Sequence, residues 1–240
     1  MLAKGFYGPH PEIPLGLESP RRLHRASSAS AKTLNRPLPQ RPRNIGSNVD
    51  DLYIFLLEIL MTDSLQTITL GGGCFWCTEA VYVRVLGVTD VESGYSNGQT
   101  SRPSYEQVCS GRTGSNEVVK LTYDPSQIST REILEIFFVV HDATTLNQQG
   151  NDVGTQYRSG IYYSTPEQKQ IAEDMIAELT RERRFDRPIV TEVLPLAHYW
   201  PAEDYHQDYF ENNPNQGYCV AVAGPKVAKF RKTFGRLAKP

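Results

Sequence analysis

Five consecutive residues, Gly73-Cys74-Phe75-Trp76-Cys77, carry the chemistry this sequence declares most openly. A cysteine directly after Gly71-Gly72-Gly73 sits where a strand is expected to hand over to a helix. Glycines let the backbone turn tightly and let a substrate come close. Free N–H groups at a helix start favour an anion, so the position is expected to lower the Cys74 pKa and make it nucleophilic. A buried structural cysteine is the bland alternative. Phe75 and Trp76 could be plain core or could wall an apolar pocket for a small uncharged group. Cys77 completes a C-x-x-C, the spacing of a thiol–disulfide redox pair. Zinc is the rival for that spacing, but the chain has no second C-x-x-C, and its five histidines (His10, His24, His141, His198, His206) lie far from Cys74 in sequence. No metal is therefore expected.

These residues need a scaffold, and the pattern supplies one. Gln66–Leu70 alternates and is β-branched, which predicts a strand. A helix follows over Phe75–Leu86, with Gly87 as its stop. Val88–Ser93 reads as a strand, Gly94–Ser104 as a long loop, and Glu117–Tyr123 as a strand closed by Asp124-Pro125. Thr130–His141 is apolar at helical spacing, and Tyr157–Tyr163 is a strand. Thr165, Pro166 and Gln168 form a capping box for a helix reaching about Arg184, with Ile171, Met175, Ile176 and Leu179 on one stripe. Pro188–Leu194 is a strand and Ala202–Phe210 a short helix. From Glu211 the chain is rich in Asn, Gly and Pro and carries Cys219. Strands and helices intermix without regular alternation. The expected fold is α+β: a mixed sheet with flanking helices in a single compact domain of the ferredoxin-like type, with long coil tails.

Composition sets the outer limits. The 240 residues suffice for one domain plus a tail, and 25 Lys and Arg against 27 Asp and Glu leave no basic face for general nucleic-acid binding. Four cysteines are too few for a disulfide-stapled mini-domain, and no run of 18 apolar residues exists to span a membrane. Residues 1–60 hold seven of the 16 prolines, with eight basic and five acidic residues. They are expected to be disordered or weakly ordered, with the catalytic domain over 61–240 and its Cys-bearing C-terminal tail mobile. The extension reads as an Arg- and Ser-rich transit peptide, a linker, or a consequence of start-site choice ahead of Met61. Leu52–Met61 is too short to span a membrane and is expected to form one or two helical turns.

The motif order resembles a known family. Gly73-Cys74-Phe75-Trp76-Cys77-Thr78-Glu79-Ala80 is followed by Gly94-Tyr95 and then by Pro103-Ser104-Tyr105-Glu106-Gln107-Val108-Cys109-Ser110-Gly111. Next come Thr113-Gly114, Glu117, Asn151-Asp152 and Gly154-Thr155-Gln156-Tyr157-Arg158-Ser159, and last Asn215-Gln216-Gly217-Tyr218-Cys219. Over residues 65–234 this is similar to the peptide methionine sulfoxide reductases of the A class. The resemblance implies that Cys74 attacks the sulfoxide sulfur, that Glu117 is the acid, and that Tyr105 and Tyr157 hold the oxygen. It implies that Asp152 orients groups nearby and that Phe75 and Trp76 receive the methyl group. Cys219 is implied as the resolving thiol, with Cys77 as the alternative, and Cys109 is read as a buried small apolar residue. The implied substrate is the S epimer of methionine sulfoxide, free or in proteins. The implied reductant is thioredoxin, or a small dithiol such as DTT in the assay, with no bound cofactor. Two departures stand out: no cysteine follows Cys219, and Ser115-Asn116 precedes the acid where many relatives carry a histidine. A monomer in the cytoplasm is expected, with an organelle possible through the extension. The rival readings are a general thiol–disulfide oxidoreductase using Cys74 and Cys77, and a redox-sensing module without turnover.

Overall fold

A computed structural model describes residues 65–240. The expectations for residues 1–60, including the turns over Leu52–Met61, lie outside the described residues. Strand β1 is Gln66–Gly72 and helix α1 is Phe75–Tyr82. Then come β2 (Val88–Ser96), α2 (Tyr105–Cys109), β3 (Asn116–Tyr123) and α3 (Thr130–Val140). The short pair β4 (Gln148–Gln149) and β5 (Asp152–Val153) precedes β6 (Ser159–Tyr163) and α4 (Pro166–Arg181). The chain continues through β7 (Glu192–Pro195), β8 (Tyr199–Pro201), α5 (Tyr209–Asn212) and α6 (Gly224–Thr233).

The main sheet runs β7-β6-β1-β3-β2-β8. β1 pairs antiparallel with β3 and β6, and β7 joins β6 parallel at one edge, so the sheet is mixed. β1 is central because Ile68 and Leu70 are fully buried and Thr69 is buried with them. α1 packs on β1, β2 and β3 and against α6, while α3 packs between α4 and α6. Capping boxes start both α2 (Ser104 with Gln107) and α3 (Ser129 with Glu132), each satisfying orphan N–H groups.

Several expected boundaries move, each for a tertiary reason. α1 ends at Tyr82, well before Leu86, because the backbone tightens and Leu86 N–H donates to Leu237 O at 2.7 Å. β2 runs on to Ser96 because β8 pairs with Gly94–Ser96. The expected loop before Ser104 is therefore shorter, and α2 is an added helix that a five-residue pattern could not announce. β7 starts at Glu192, where Gly160 of β6 supplies the parallel partner, not at Pro188. The expected helix over 202–210 breaks at Asp208, which is left-handed at φ 52°. The box at Thr165 is half formed. Thr165 Oγ1 accepts from Gln168 N, but the Gln168 side chain accepts from Ser164 N and donates to Thr67 O at 2.9 Å, tying α4 to β1.

The expected coil tail after Glu211 is corrected most. Cys219–Ala223 form a π-helical turn that leads straight into α6, and both pack against α1. Val227 and Phe230 are buried there, which offsets the ordering cost that polar composition suggested. The end of the chain returns to the turn after α1, where Lys239 N–H donates to Arg84 O at 2.8 Å and Ala238 bridges to Val85.

Candidate active site

The site begins where β1 meets α1. Gly73 has φ +88°, and a Cβ there would meet Gln149 Cγ at 2.5 Å and Cβ at 2.6 Å, so this turn requires glycine. Cys74 is the N-cap of α1, and its carbonyl accepts from Cys77 N at 3.1 Å. The Cys74 side chain is buried, at 7% exposure. Burial pushes its thiol well up, and the adjoining Cys77 thiol and the Glu117 carboxylate add to the effect. The expectation of a lowered Cys74 pKa is thus overturned, because desolvation, helped by the neighbouring Cys77 and Glu117, outweighs a short helix's dipole. Cys77 moves the other way, to about 7, chiefly through its interaction with the neighbouring Cys74 thiol, with Lys226 and Tyr218 helping against its burial.

Glu117 stands on β3, fully inside the sheet, and its Oε2 accepts from Phe75 N at 3.2 Å. Burial pushes its pKa up to about 8, with the Asp152 and Cys77 charges adding and the Phe75 amide opposing. Its carboxyl is therefore mostly neutral at neutral pH. Burial and then the Glu117 charge raise the phenols of Tyr105, at the start of α2, and Tyr157, in the 3-10 turn Thr155–Tyr157. Both phenols keep their protons and can donate. Asn116 and Ser115, beside the acid, are both buried. Asn116 Nδ2 donates to Arg158 O at 3.1 Å and to Tyr162 Oη at 2.9 Å, so its amide joins β3 to β6.

Phe75 and Trp76 form an aromatic floor. The Phe75 ring centroid lies 5.8 Å from Tyr95 and 4.9 Å from His206. Trp76 stacks on Tyr209 at 3.7 Å with planes 8° apart, and its Nε1–H donates to His206 Nδ1 at 3.1 Å. Burial lowers His206 to about 4, so it is neutral and free to accept at Nδ1. Tyr105 N–H and Tyr95 O–H both donate to Glu203, at 3.0 and 2.8 Å.

Asp152, on β5, accepts from Tyr218 O–H at 2.6 Å, and Tyr218 in turn accepts from the Cys77 thiol at 3.7 Å. Cys219 follows immediately, fully buried in the π-helical turn, where burial and the Cys77 charge raise its pKa. Cys109, expected to be buried, is exposed at the end of α2, because that short helix buries only Val108. Cys74, Phe75, Trp76, Glu117, Tyr105, Tyr157, Asp152 and Cys77 thus share one region, and Cys219, in the turn that packs against α1, feels the charge of Cys77. All four cysteines are free thiols. Among the described residues no group of three or more His, Cys, Asp or Glu could hold a metal ion.

Sequence reasoning missed His206, Tyr209, Glu203, Glu79 and Tyr218. His206 lies 130 positions from Trp76 in the chain, so distance along the sequence hid it. Tyr218 had one available signal, its place directly before Cys219.

The comparisons with known proteins agree on one family. Residues 66–238 match the family model described as peptide methionine sulfoxide reductase. The chain is 52% identical over 177 residues to peptide methionine sulfoxide reductase MsrA of Polynucleobacter asymbioticus, a match spanning 74% of this chain and 93% of that protein. It is 56% identical over 164 residues to MsrA of Deinococcus radiodurans, spanning 68% and 80%. Among solved structures it is similar to reduced Mxr1 from Saccharomyces cerevisiae, at 36% identity and TM-score 0.60 over 65% of this chain and 89% of that one. It is also similar to methionine sulfoxide reductase A of Corynebacterium diphtheriae, at 38% identity and TM-score 0.58 over 63% and 76%.

Proposed function

Because this chain belongs to the peptide methionine sulfoxide reductase family, and so is an oxidoreductase returning methionine sulfoxide to methionine, we propose how its own residues run that reaction. Cys74 is the nucleophile and Glu117 the acid. The observation that carries this reading is a buried carboxyl, held near 8, one residue's amide away from the Cys74 thiol. The sulfoxide oxygen rests between Tyr105, Tyr157 and the Glu117 carboxyl, and its methyl lies on Phe75 and Trp76. Asp152 holds Tyr218 and so shapes the side facing Cys77.

Cys74 loses its proton as its sulfur bonds to the sulfoxide sulfur, and Glu117 protonates the oxygen. The oxygen passes to Cys74 and methionine departs, which leaves a sulfenic acid. A neutral Glu117 removes one of the charges that raise Cys74, so acid and nucleophile are ready in the same protonation state. A second thiol then condenses with the sulfenic acid and releases water. Cys219 is that thiol. Its place at the start of the π-helical turn that packs against α1, within the electrostatic reach of Cys77, supports that role. The Tyr218 bridge from Cys77 to Asp152 favours Cys77 as the second candidate. An external dithiol, thioredoxin, reduces the resulting disulfide by exchange. The substrate is the S epimer, free or within proteins.

The central strands β6-β1-β3-β2, with α1 and α3 joining them in the order βαββαβ, support the ferredoxin-like form of the fold. No helix among the described residues is long and apolar enough to cross a membrane.

The test is turnover of the two separated methionine sulfoxide epimers with a dithiol reductant, wild type beside Cys74→Ser. Reduction of the S epimer alone, lost in the variant, is expected. No turnover of either epimer, with insulin disulfides reduced instead, overturns the reading in favour of a general dithiol oxidoreductase.

A further inference from the structure

Glu79 lies on α1 two residues beyond Cys77 and is 1% exposed, yet it is not among the reacting groups. Its carboxyl collects three donors. Ser93 Oγ and the Asp208 amide reach Oε1 at 3.2 and 3.0 Å, and the Tyr209 amide reaches Oε2 at 3.1 Å. Two consecutive amides converge on one carboxyl because Asp208 takes the left-handed conformation, φ 52° and ψ 31°. That conformation is uncommon for a residue with a Cβ and persists where the surroundings hold it. A buried acid is costly unless it is hydrogen-bonded, and here two of its three donors are main-chain amides of a single strap, with the Ser93 hydroxyl of β2 as the third.

That strap, residues 203–209, governs Trp76 from two sides. His206 takes the indole N–H at 3.1 Å, and the Tyr209 ring covers one indole face at 3.7 Å. The Tyr209 amide is the very group that Glu79 Oε2 holds. We propose that Glu79 is a positioning residue that fixes the Trp76 platform and thereby sets how closely the enzyme fits the group on the sulfoxide sulfur, methyl over anything larger. The assignment rests on the reading of Trp76 as the methyl-binding surface. Burial pushes the Glu79 pKa up to about 7 against the three donors that favour its charged form, and as a carboxylate it suits this task by accepting at both oxygens. A Gln of the same length presents one oxygen and one NH2, and the NH2 faces an amide N–H. The strap has a second tie, Gln207, which accepts from Ser93 N at 2.9 Å and donates to Ser93 O at 3.0 Å. Loss of the Glu79 contacts therefore loosens the platform without freeing the whole segment.

The experiment compares kcat/KM for methionine sulfoxide and ethionine sulfoxide in the full chain. One methylene in a fitted apolar site discriminates by about 10-fold or more. In Glu79→Gln the ratio is expected to fall about 3- to 10-fold toward unity, with the loss in KM and with the saturating single-turnover rate at Cys74 kept within about twofold. Equal losses for the two substrates, or an unchanged ratio, overturn the assignment, because a purely structural role lowers both alike. Should Glu79→Gln fail to fold, Glu79→Asp carries the same readout, since the shorter arm cannot span both amides. Trp76→Leu separates this idea from the reading beneath it. A ratio that survives Trp76→Leu means the platform does not face the methyl, and both ideas fall. A ratio that collapses in Trp76→Leu but survives in Glu79→Gln overturns Glu79 alone.

Discussion

Replacing Glu117 by Gln tests the acid through stability as well as rate. Burial holds the Glu117 pKa at about 8 against an ordinary 4.5, so the folded chain keeps a proton that the unfolded chain has released at neutral pH. Each unit of that difference corresponds to about 1.4 kcal/mol. The stability the neutral carboxyl contributes is fully present below about pH 4.5, declines as pH rises, and is lost once pH passes about 8. At pH 7 the wild type has already lost about 3 kcal/mol on this account. Glutamine carries no charge in either state, and its oxygen can still accept from the Phe75 amide. The stability of Glu117→Gln relative to wild type is thus expected to improve by about 4 kcal/mol between about pH 5 and about pH 9. Urea unfolding of the reduced proteins at the two pH values reads this directly, and the subtraction cancels the other titrating groups that the two proteins share. In single turnover the same variant is expected to form the Cys74 sulfenic acid about 10²- to 10⁴-fold more slowly. Parallel stability-versus-pH curves, or an unchanged single-turnover rate, would refute the reasoning.

Other expectations are simpler to state. Cys74→Ser abolishes reduction of both free and peptide-bound sulfoxide, and residual turnover would move the nucleophile elsewhere. Cys219→Ser completes one turnover and then stalls with thioredoxin, as seen by counting methionine released per enzyme; continued cycling assigns resolution to Cys77. Because the Glu117 carboxyl must be protonated to act, kcat/KM declines as pH rises through about 8, and that limb is absent from the residual activity of Glu117→Gln. Gly73→Ala forces a side chain into the left-handed region against Gln149 and is expected to cost about 1–3 kcal/mol in thermal unfolding; an unchanged midpoint would show that the turn relaxes freely. Deletion of residues 1–60 leaves activity unchanged, since the family match begins at residue 66; a chain that no longer folds would contradict this.

Much of the site was legible because its parts are local. Gly73 through Cys77 announce a turn, a nucleophile and an aromatic floor within five residues, and Glu117 lies on a strand whose β-branched run is plain. What pairs across long separations was not legible. β8 lengthens β2, and a residue 130 positions from Trp76 holds its indole, yet neither leaves a periodic trace. Asn- and Gly-rich composition suggested a coil at the C-terminus, whereas Phe230 and Val227 anchor a helix there. The Cys74 pKa was misjudged for a related reason. A helix start is visible in sequence, but the burial and the neighbouring Cys77 and Glu117 that outweigh it are products of packing. Gln168 looked like a cap and is chiefly a tie to β1, since a side chain's partner is chosen by what lies opposite it.

The segment that carries Cys219 is fastened at both ends. In front, Tyr218 is hydrogen-bonded to Asp152; behind, Leu237 and Lys239 are bonded to the turn after α1. With Cys219 as the proposed resolving thiol, such a doubly anchored span searches a small volume, and its effective concentration toward Cys74 is on the order of millimolar. On that proposal the sulfenic acid meets its partner thiol within one molecule, and the capture does not depend on a second collision. On the same proposal the anchoring limits how far the disulfide can be carried afterwards, which brings the reducing partner to the enzyme's surface at this span.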